Sequence, residues 1–266
     1  MSEIQETSVT EIRPQEETFT FGSYHSIITG VDRHWQYGGF PLPDGTFWFY
    51  REPEAAVVVT GDRLRVSVQP ITRSHDHIQM LDNPKNMFFS TRNFVTPDDG
   101  AISFEWEMRA RCSGTQPHDL SDGFVSAHLL DFSTGIAFDF FVCNDMIAAV
   151  YALHPYPGMP LPPDPQDTTK PKYFTQFNEL AVKTVPWQKH RYCMSYHKVR
   201  DEVSFFLDGQ LVGTYKQVPC KVNACILALG LMTSKSIEQG KSVSVHGQGL
   251  TGEWGPFTIT MRKDRA

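Results

Sequence analysis

Apolar and polar positions alternate along much of the chain. Between Ile102 and Cys112, Phe104, Trp106, Met108 and Ala110 share one face, while Glu105, Glu107, Arg109 and Arg111 share the other. That period of two is the mark of a half-buried strand. Ala55 to Val59 and Leu64 to Val68, joined through Thr60-Gly61-Asp62, predict a hairpin. Glu202 to Leu207 and Leu211 to Tyr215 predict another, turning on Asp208-Gly209. Further strands are expected at Phe47 to Tyr50, Gly123 to Phe132, Ile136 to Cys143, Arg191 to Tyr196, Ile226 to Met232 and Phe257 to Met261. Met146 to Leu153 suits a strand or a short helix, and its neighbours favour a strand. Residues 155–172 contain seven prolines. They cannot form helix or inner strand, so a long loop is expected, of the kind that serves as a lid. Residues 1–20 carry five glutamates and predict a flexible acidic tail. There is no long amphipathic helix. The pattern predicts an all-β protein, a two-sheet antiparallel β-sandwich of about a dozen strands forming one domain over 21–266.

Composition narrows the partners. The formal charge of -6 argues against nucleic acid and against an anionic membrane surface. No run approaches the ~18 apolar residues of a membrane span, and the polar N-terminus lacks the apolar core of a secretory signal. A cytoplasmic location is therefore expected. The five cysteines, Cys112, Cys143, Cys193, Cys220 and Cys225, show neither disulfide nor zinc spacing and read as buried free thiols. No phosphate loop, dinucleotide fingerprint or Gly-x-Ser-x-Gly elbow occurs.

Several segments, in order, resemble the concanavalin A-like lectin/glucanase superfamily, especially the jelly roll of glycoside hydrolase family 16. They are Val57 through Val66, Phe89-Ser90-Thr91 followed by Trp106-Glu107-Met108-Arg109, and His190-Arg191-Tyr192 through Asp208-Gly209 to Val212. The resemblance covers about residues 45–262. The text looks closer still to a bacterial family of unknown function in this superfamily, through Asp76-His77 and Asn144-Asp145 with Tyr151.

The resemblance implies a concave cleft and, in the hydrolases, acids spaced Glu-x-Asp-x-Glu on one strand. The matching strand here is Ala137-Phe138-Asp139-Phe140-Phe141-Val142. Ala137 stands at the nucleophile position, Phe141 or Val142 at the acid/base position, and Asp139 alone remains, which argues against family-16 hydrolysis. On this threading Ala137, Asp139 and Phe141 face the cleft, with His128 at a sugar-facing position. Asp139 among phenylalanines would be desolvated, which suits proton transfer beside a His or Tyr. It would equally suit a structural acid bonded to backbone or to Arg109.

The candidate catalytic residues are thus Asp139, His77, Asp76, His128 and Tyr151, with Asp76 orienting His77. Phe141, Asn144, Asp145, Trp106, Glu107 and Arg109 are the candidate binding residues. His75 and His77, two apart on a strand, could share a metal. No cofactor is implied, and a structural calcium in the loops is compatible with the superfamily. The favoured expectation is an intracellular isomerase, cyclase or lyase acting on a partly hydrophobic metabolite. The alternatives are a lectin-like sugar-binding module without catalysis, and a divergent glycosidase using another carboxylate such as Glu105, Glu107 or Asp131.

Overall fold

A computed structural model describes residues 16–31, 33–42, 44–74, 85–154, 173–218, 220–235, 237–239 and 241–264. The Asp76-His77 pair, His75 and the proline-rich 155–172 segment lie outside these residues.

Two antiparallel sheets face each other. The first has nine strands, with the backbone order Gln210–Lys216, Glu202–Leu207, His190–His197, Gly100–Ser113, Gly249–Trp254, Arg63–Val68, Ala56–Thr60. Phe257–Lys263 also pairs with Gly100–Ser113, and Glu16–Phe21 pairs with Phe257–Lys263. The second has eight strands, in the order Phe174–Glu179, Ile147–Leu153, Ile136–Val142, Phe124–Asp131, Ala224–Met232, Lys85–Ser90, Trp35–Tyr37, with Phe94–Val95 added to Ala224–Met232. The expected sandwich is therefore present, as are both predicted hairpins. Asp208 and Gly209 have φ of 52° and 82°, the left-handed pair that a two-residue hairpin turn requires. Asp208 also accepts hydrogen bonds from the Arg191 N–H at 2.8 Å and bonds His190 Nδ1 at 2.7 Å, fixing the turn to the neighbouring strand.

Several elements depart from expectation, among them the unexpected strands Trp35–Tyr37 and Lys85–Ser90. Glu16–Phe21, expected within the tail, alternates its Thr and Phe residues and adds a strand to the sheet. Gly249–Trp254 is a strand that was not among those expected. Gly252 is there because a Cβ would meet Trp254 Cη2 at 2.6 Å and Val125 Cγ1 at 2.7 Å. Phe174–Glu179 is an exposed edge strand with no apolar alternation to announce it. The ambiguous 146–153 segment is a strand, Ile147–Leu153.

The core lies between the sheets. Phe140 sits at its centre, with ring centroids 6.0 Å from Trp106, 5.0 Å from Tyr192 and 5.4 Å from Phe205. Burying each such ring is worth roughly 1.5–3 kcal/mol, and each ring pair adds about 0.5–1.5 kcal/mol. Trp254 crosses this core and donates its Nε1 hydrogen to the carbonyl of Ser126 at 3.1 Å. That bond pins the centre of the eight-stranded sheet from beneath.

The outer face of the eight-stranded sheet is covered too, which explains why its central strands are buried on both sides. The hairpin Gly39–Pro41/Phe47–Phe49 folds over it. Phe40, Leu42 and Tyr50 pack there on Met87, Leu130, Ala137, Ala152 and Ala228. The alanines leave the depth the hairpin needs, and the rest of that face stays open as a cleft.

Candidate functional site

The cleft is a cavity of about 240 Å³ on the outer face of the eight-stranded sheet. Strand register explains its layout. Phe89, Ala228, His128, Asp139, Val150 and Phe177 are successive cross-strand neighbours. They form one row across the sheet, about 24 Å from end to end at ~4.8 Å per strand. An aromatic ring stands at each end, and a carboxylate and an imidazole stand in the middle. Phe132 is 43% exposed beside Phe89, and Phe177 is 44% exposed, so the walls present ring surface to solvent. Phe141 stacks on Phe124 with centroids 4.2 Å apart and lines the same cavity.

At the centre, His128 Nδ1 lies 2.7 Å from Asp139 Oδ1, and His128 Nε2 lies 2.7 Å from Ser126 Oγ. The geometry follows from sequence parity. Ser126 and His128 are two apart on one strand and so share a face, and Asp139 stands directly opposite His128. All three are buried. Gly230, opposite Ser126, gives the group room: a Cβ there would stand 2.7 Å from Ser126 Oγ and 3.5 Å from His128 Nε2. His154 borders the same cavity. Burial pushes its imidazole below the ordinary range; the Asp139 carboxylate works the other way, and Lys85 and His128 add to the lowering.

The structure therefore brings together three of the residues singled out in the sequence, His128, Asp139 and Phe141. It sends the others elsewhere. Tyr151 belongs to the opposite parity of its strand and points into the sandwich core against Phe138, Phe174 and Tyr215. Burial drives its phenol far above the usual range, and the ring lies in the core rather than in the cleft. Trp106 is a core residue. Asn144 ties a turn to the end of Gly100–Ser113, accepting from the Cys112 N–H at 2.8 Å and donating to the Cys112 carbonyl at 2.7 Å. Asp145 accepts from the His118 N–H at 3.1 Å.

Glu107 and Arg109 lie on the outer face of the other sheet. There Glu107 pairs with Arg63 and with Lys189, at 2.8 Å for the latter, and Arg109 pairs with Glu253 at 2.6 Å while stacking on Trp187. Ser126 was not foreseen; its one signal was its position two residues before His128. Cys112, Cys143 and Cys225 are buried, and all five cysteines are free. Among the described residues no group of three or more His, Cys, Asp or Glu side chains is placed to hold a metal ion. Nor is any helix there long and apolar enough to cross a membrane.

The carboxylates offered for a divergent glycosidase do not join Asp139. Glu105 and Glu107 are on the other sheet. Asp131 closes a turn, accepting from the Ser133 N–H at 2.9 Å and from the Thr134 hydroxyl at 2.8 Å. Among the described residues Asp139 is the one acid lining the cavity. Ala137 is fully buried beneath the Phe40–Tyr50 cluster. A retaining glycosidase needs two carboxyls about 5–5.5 Å apart, and the described residues supply one.

Solved structures of similar fold include a prokaryotic β-1,3-1,4-glucanase (lichenase) from a mouse hindgut metagenome. It has a TM-score of 0.54 and 11% identity, over 92% of this chain and 98% of that one. A Crh5 transglycosylase in complex with NAG has a TM-score of 0.52 and 14% identity, over 95% and 88%. An endo-1,3-β-glucanase from Streptomyces sioyaensis has a TM-score of 0.51 and 12% identity, over 85% and 89%. These likenesses establish the concanavalin A-like jelly roll. They also correct the favoured expectation: the similar structures are described as acting on carbohydrate, none as an isomerase, cyclase or lyase of hydrophobic metabolites, and that reading is withdrawn. No curated protein matches the chain. Residues 19–263 match the family of unknown function DUF6081, and the chain belongs to that family.

Proposed function

We propose that the cleft binds a carbohydrate and leaves its glycosidic bonds intact. The observation that carries this reading is the transverse row, with exposed aromatic walls at its ends and a single buried carboxylate at its centre. Sugar rings have apolar C–H faces that pack on aromatic rings, and hydroxyls that need fixed acceptors and donors. Asp139 spends one oxygen on His128, and a carboxylate has a second oxygen to accept from a ligand hydroxyl. The similar folds act on glucans or hold NAG, which makes β-glucan and N-acetylglucosamine oligomers the first ligands to try. Nucleic acid and membrane surfaces remain disfavoured by the charge of -6.

The test is calorimetric titration with a panel of these oligosaccharides, paired with an assay for released reducing ends. Saturable binding that Phe177→Ala weakens by about tenfold, with no reducing ends released, is the expected result. One stacking contact is worth roughly 1–1.5 kcal/mol, hence the tenfold. Binding by none of the panel, or release of reducing ends that Asp139→Asn abolishes, would overturn the proposal.

A further inference from the structure

We propose that Ser126, His128 and Asp139 form an acyl-transfer site that hydrolyses an ester carried on a cleft-bound carbohydrate. The acyl chemistry stands on the three side chains alone; the sugar as its alcohol half rests on the carbohydrate reading above.

The three groups are in relay order. Asp139 Oδ1 meets His128 Nδ1 at 2.7 Å, and His128 Nε2 meets Ser126 Oγ at 2.7 Å. These are the two contacts by which an acid orients an imidazole and the imidazole activates a hydroxyl, and such a constellation is recognised by geometry rather than by fold. The hydroxyl has one proton and two acceptors within reach. The hydroxyl can donate to the Gly230 carbonyl at 3.3 Å or to Nε2 at 2.7 Å, and the proposed relay uses the second arrangement. Nε2 is then the acceptor, Nδ1 carries the imidazole proton, and that proton points at the Asp139 carboxylate. This is the tautomer a general base requires. Sugar binding alone needs no hydroxyl behind the imidazole.

The relay lies in the floor of the cleft, and His128 and Asp139 line its cavity. In the resting structure Ser126 is fully covered. Met87, Gly230 and Ser126 are cross-strand neighbours. The empty Cβ position of Gly230 lies 2.7 Å from Ser126 Oγ and 3.1 Å from Met87 Cγ, so the unbranched Met87 side chain flanks the hydroxyl. The proposed site needs Met87 to move off the hydroxyl, which an unbranched side chain with several rotatable bonds allows. The apolar flank of Met87, Phe124 and Phe141 suits a small acyl group such as acetyl.

The step balances as ester plus water giving acid plus alcohol. Ser126 Oγ bonds to the acyl carbon while its proton passes to His128 Nε2. The bond between the acyl carbon and the sugar oxygen breaks, and that proton goes to the leaving sugar hydroxyl. Water then attacks the acyl carbon and gives a proton to Nε2; the bond from that carbon to Ser126 Oγ breaks, Nε2 returns the proton to Oγ, and the acid leaves. Strand N–H groups around Ser126 are spent in the sheet ladder, so turnover is expected to be slow and covalent capture is the sharper readout.

The full chain is treated with a fluorophosphonate probe, the labelled peptide is mapped by mass, and p-nitrophenyl acetate hydrolysis is followed in parallel. The expected result is label on Ser126, absent in Ser126→Ala, faster in Met87→Ala, and slowed in Asp139→Asn by up to about 10⁴-fold. Absence of label in both the wild type and Met87→Ala, with unchanged melting, would overturn the proposal. So would acetate hydrolysis that is the same in Ser126→Ala. Label on Ser126 without any oligosaccharide binding would uphold the serine site and overturn the carbohydrate reading.

Discussion

Gly230→Ala probes the packing of the site most directly. The backbone at Gly230 does not lie in the left-handed region, so alanine is not excluded by φ. The new methyl would stand 2.7 Å from Ser126 Oγ, 3.1 Å from Met87 Cγ and 3.5 Å from His128 Nε2. Ser126 can rotate away cheaply, but doing so breaks its bond to His128 and leaves a buried ring nitrogen unpaired, at about 1–3 kcal/mol. Displacing Met87 adds an overpacking cost of the same order. Against these, alanine restricts the unfolded chain and recovers about 0.4–1 kcal/mol. The net expectation is a loss of about 1–5 kcal/mol, or a melting temperature lower by about 2–20 °C in a protein of this size. Differential scanning calorimetry measures it.

Destabilisation alone is not specific, since many core changes destabilise. In Gly230→Ala/Ser126→Ala the colliding oxygen is gone, so the double variant should be more stable than the sum of the two single losses by about 1 kcal/mol. Gly230→Ala with wild-type melting, or strict additivity in the cycle, would refute the close approach of Gly230 to the relay.

Three further outcomes follow from the same geometry. Asp122 is buried and accepts from the Gln116 N–H at 2.7 Å while pairing with His246 at 2.8 Å and Lys235 at 3.0 Å. Burial works to raise its pKa, but those three partners together hold it below the usual carboxylate value of 3.8. A depressed folded pKa contributes stability above the unfolded value and loses it as pH falls through the folded one. Urea midpoints should therefore drop more steeply below about pH 4 in the wild type than in Asp122→Asn, and equal acid slopes would contradict this.

Ala137→Glu, which restores an acid at the position a jelly-roll hydrolase uses, would bury an unpaired carboxyl under Phe40 and Tyr50. It should cost several kcal/mol and yield no glucanase activity; a stable variant releasing reducing sugar would refute the placement. Glu253, nearly buried, pairs with Arg109 at 2.6 Å and Arg65 at 2.7 Å. Both arginines reach solvent, so Glu253→Ala should cost about 1–3 kcal/mol rather than the 3–5 of a fully buried pair, as denaturant titration would measure.

How much of this was legible in the sequence depended on the face each strand hides. Gly100–Ser113 has one wet face, so its alternation was plain. The three strands under the cleft are wet on neither, and Phe124–Asp131 and Ile147–Leu153 read as near-continuous apolar runs. Parity put Asp139 and Phe141 on one face of their strand, while the family resemblance, not parity, turned that face and His128 toward the cleft. Tyr151 was placed wrongly because parity fixes a face only once register with the next strand is known, and Phe138 opposite Tyr151 is a core position. Ser126 was missed because a small hydroxyl in a buried strand carries no pattern until His128 and Asp139 are seen to converge on it. The aromatic row was not legible, because it depends on register across six strands.

In the proposed function a carbohydrate occupies the cleft over the His128–Asp139 pair. Titration of ¹⁵N-histidine-labelled protein with β-glucan and N-acetylglucosamine oligomers, watched at the His128 ring nitrogens, tests it most directly. The account predicts a saturable shift of those signals by at least one oligomer, weakened in Phe177→Ala, while the His190 signals far from the cleft stay still. Unmoved His128 signals with every oligomer at millimolar concentration would contradict it.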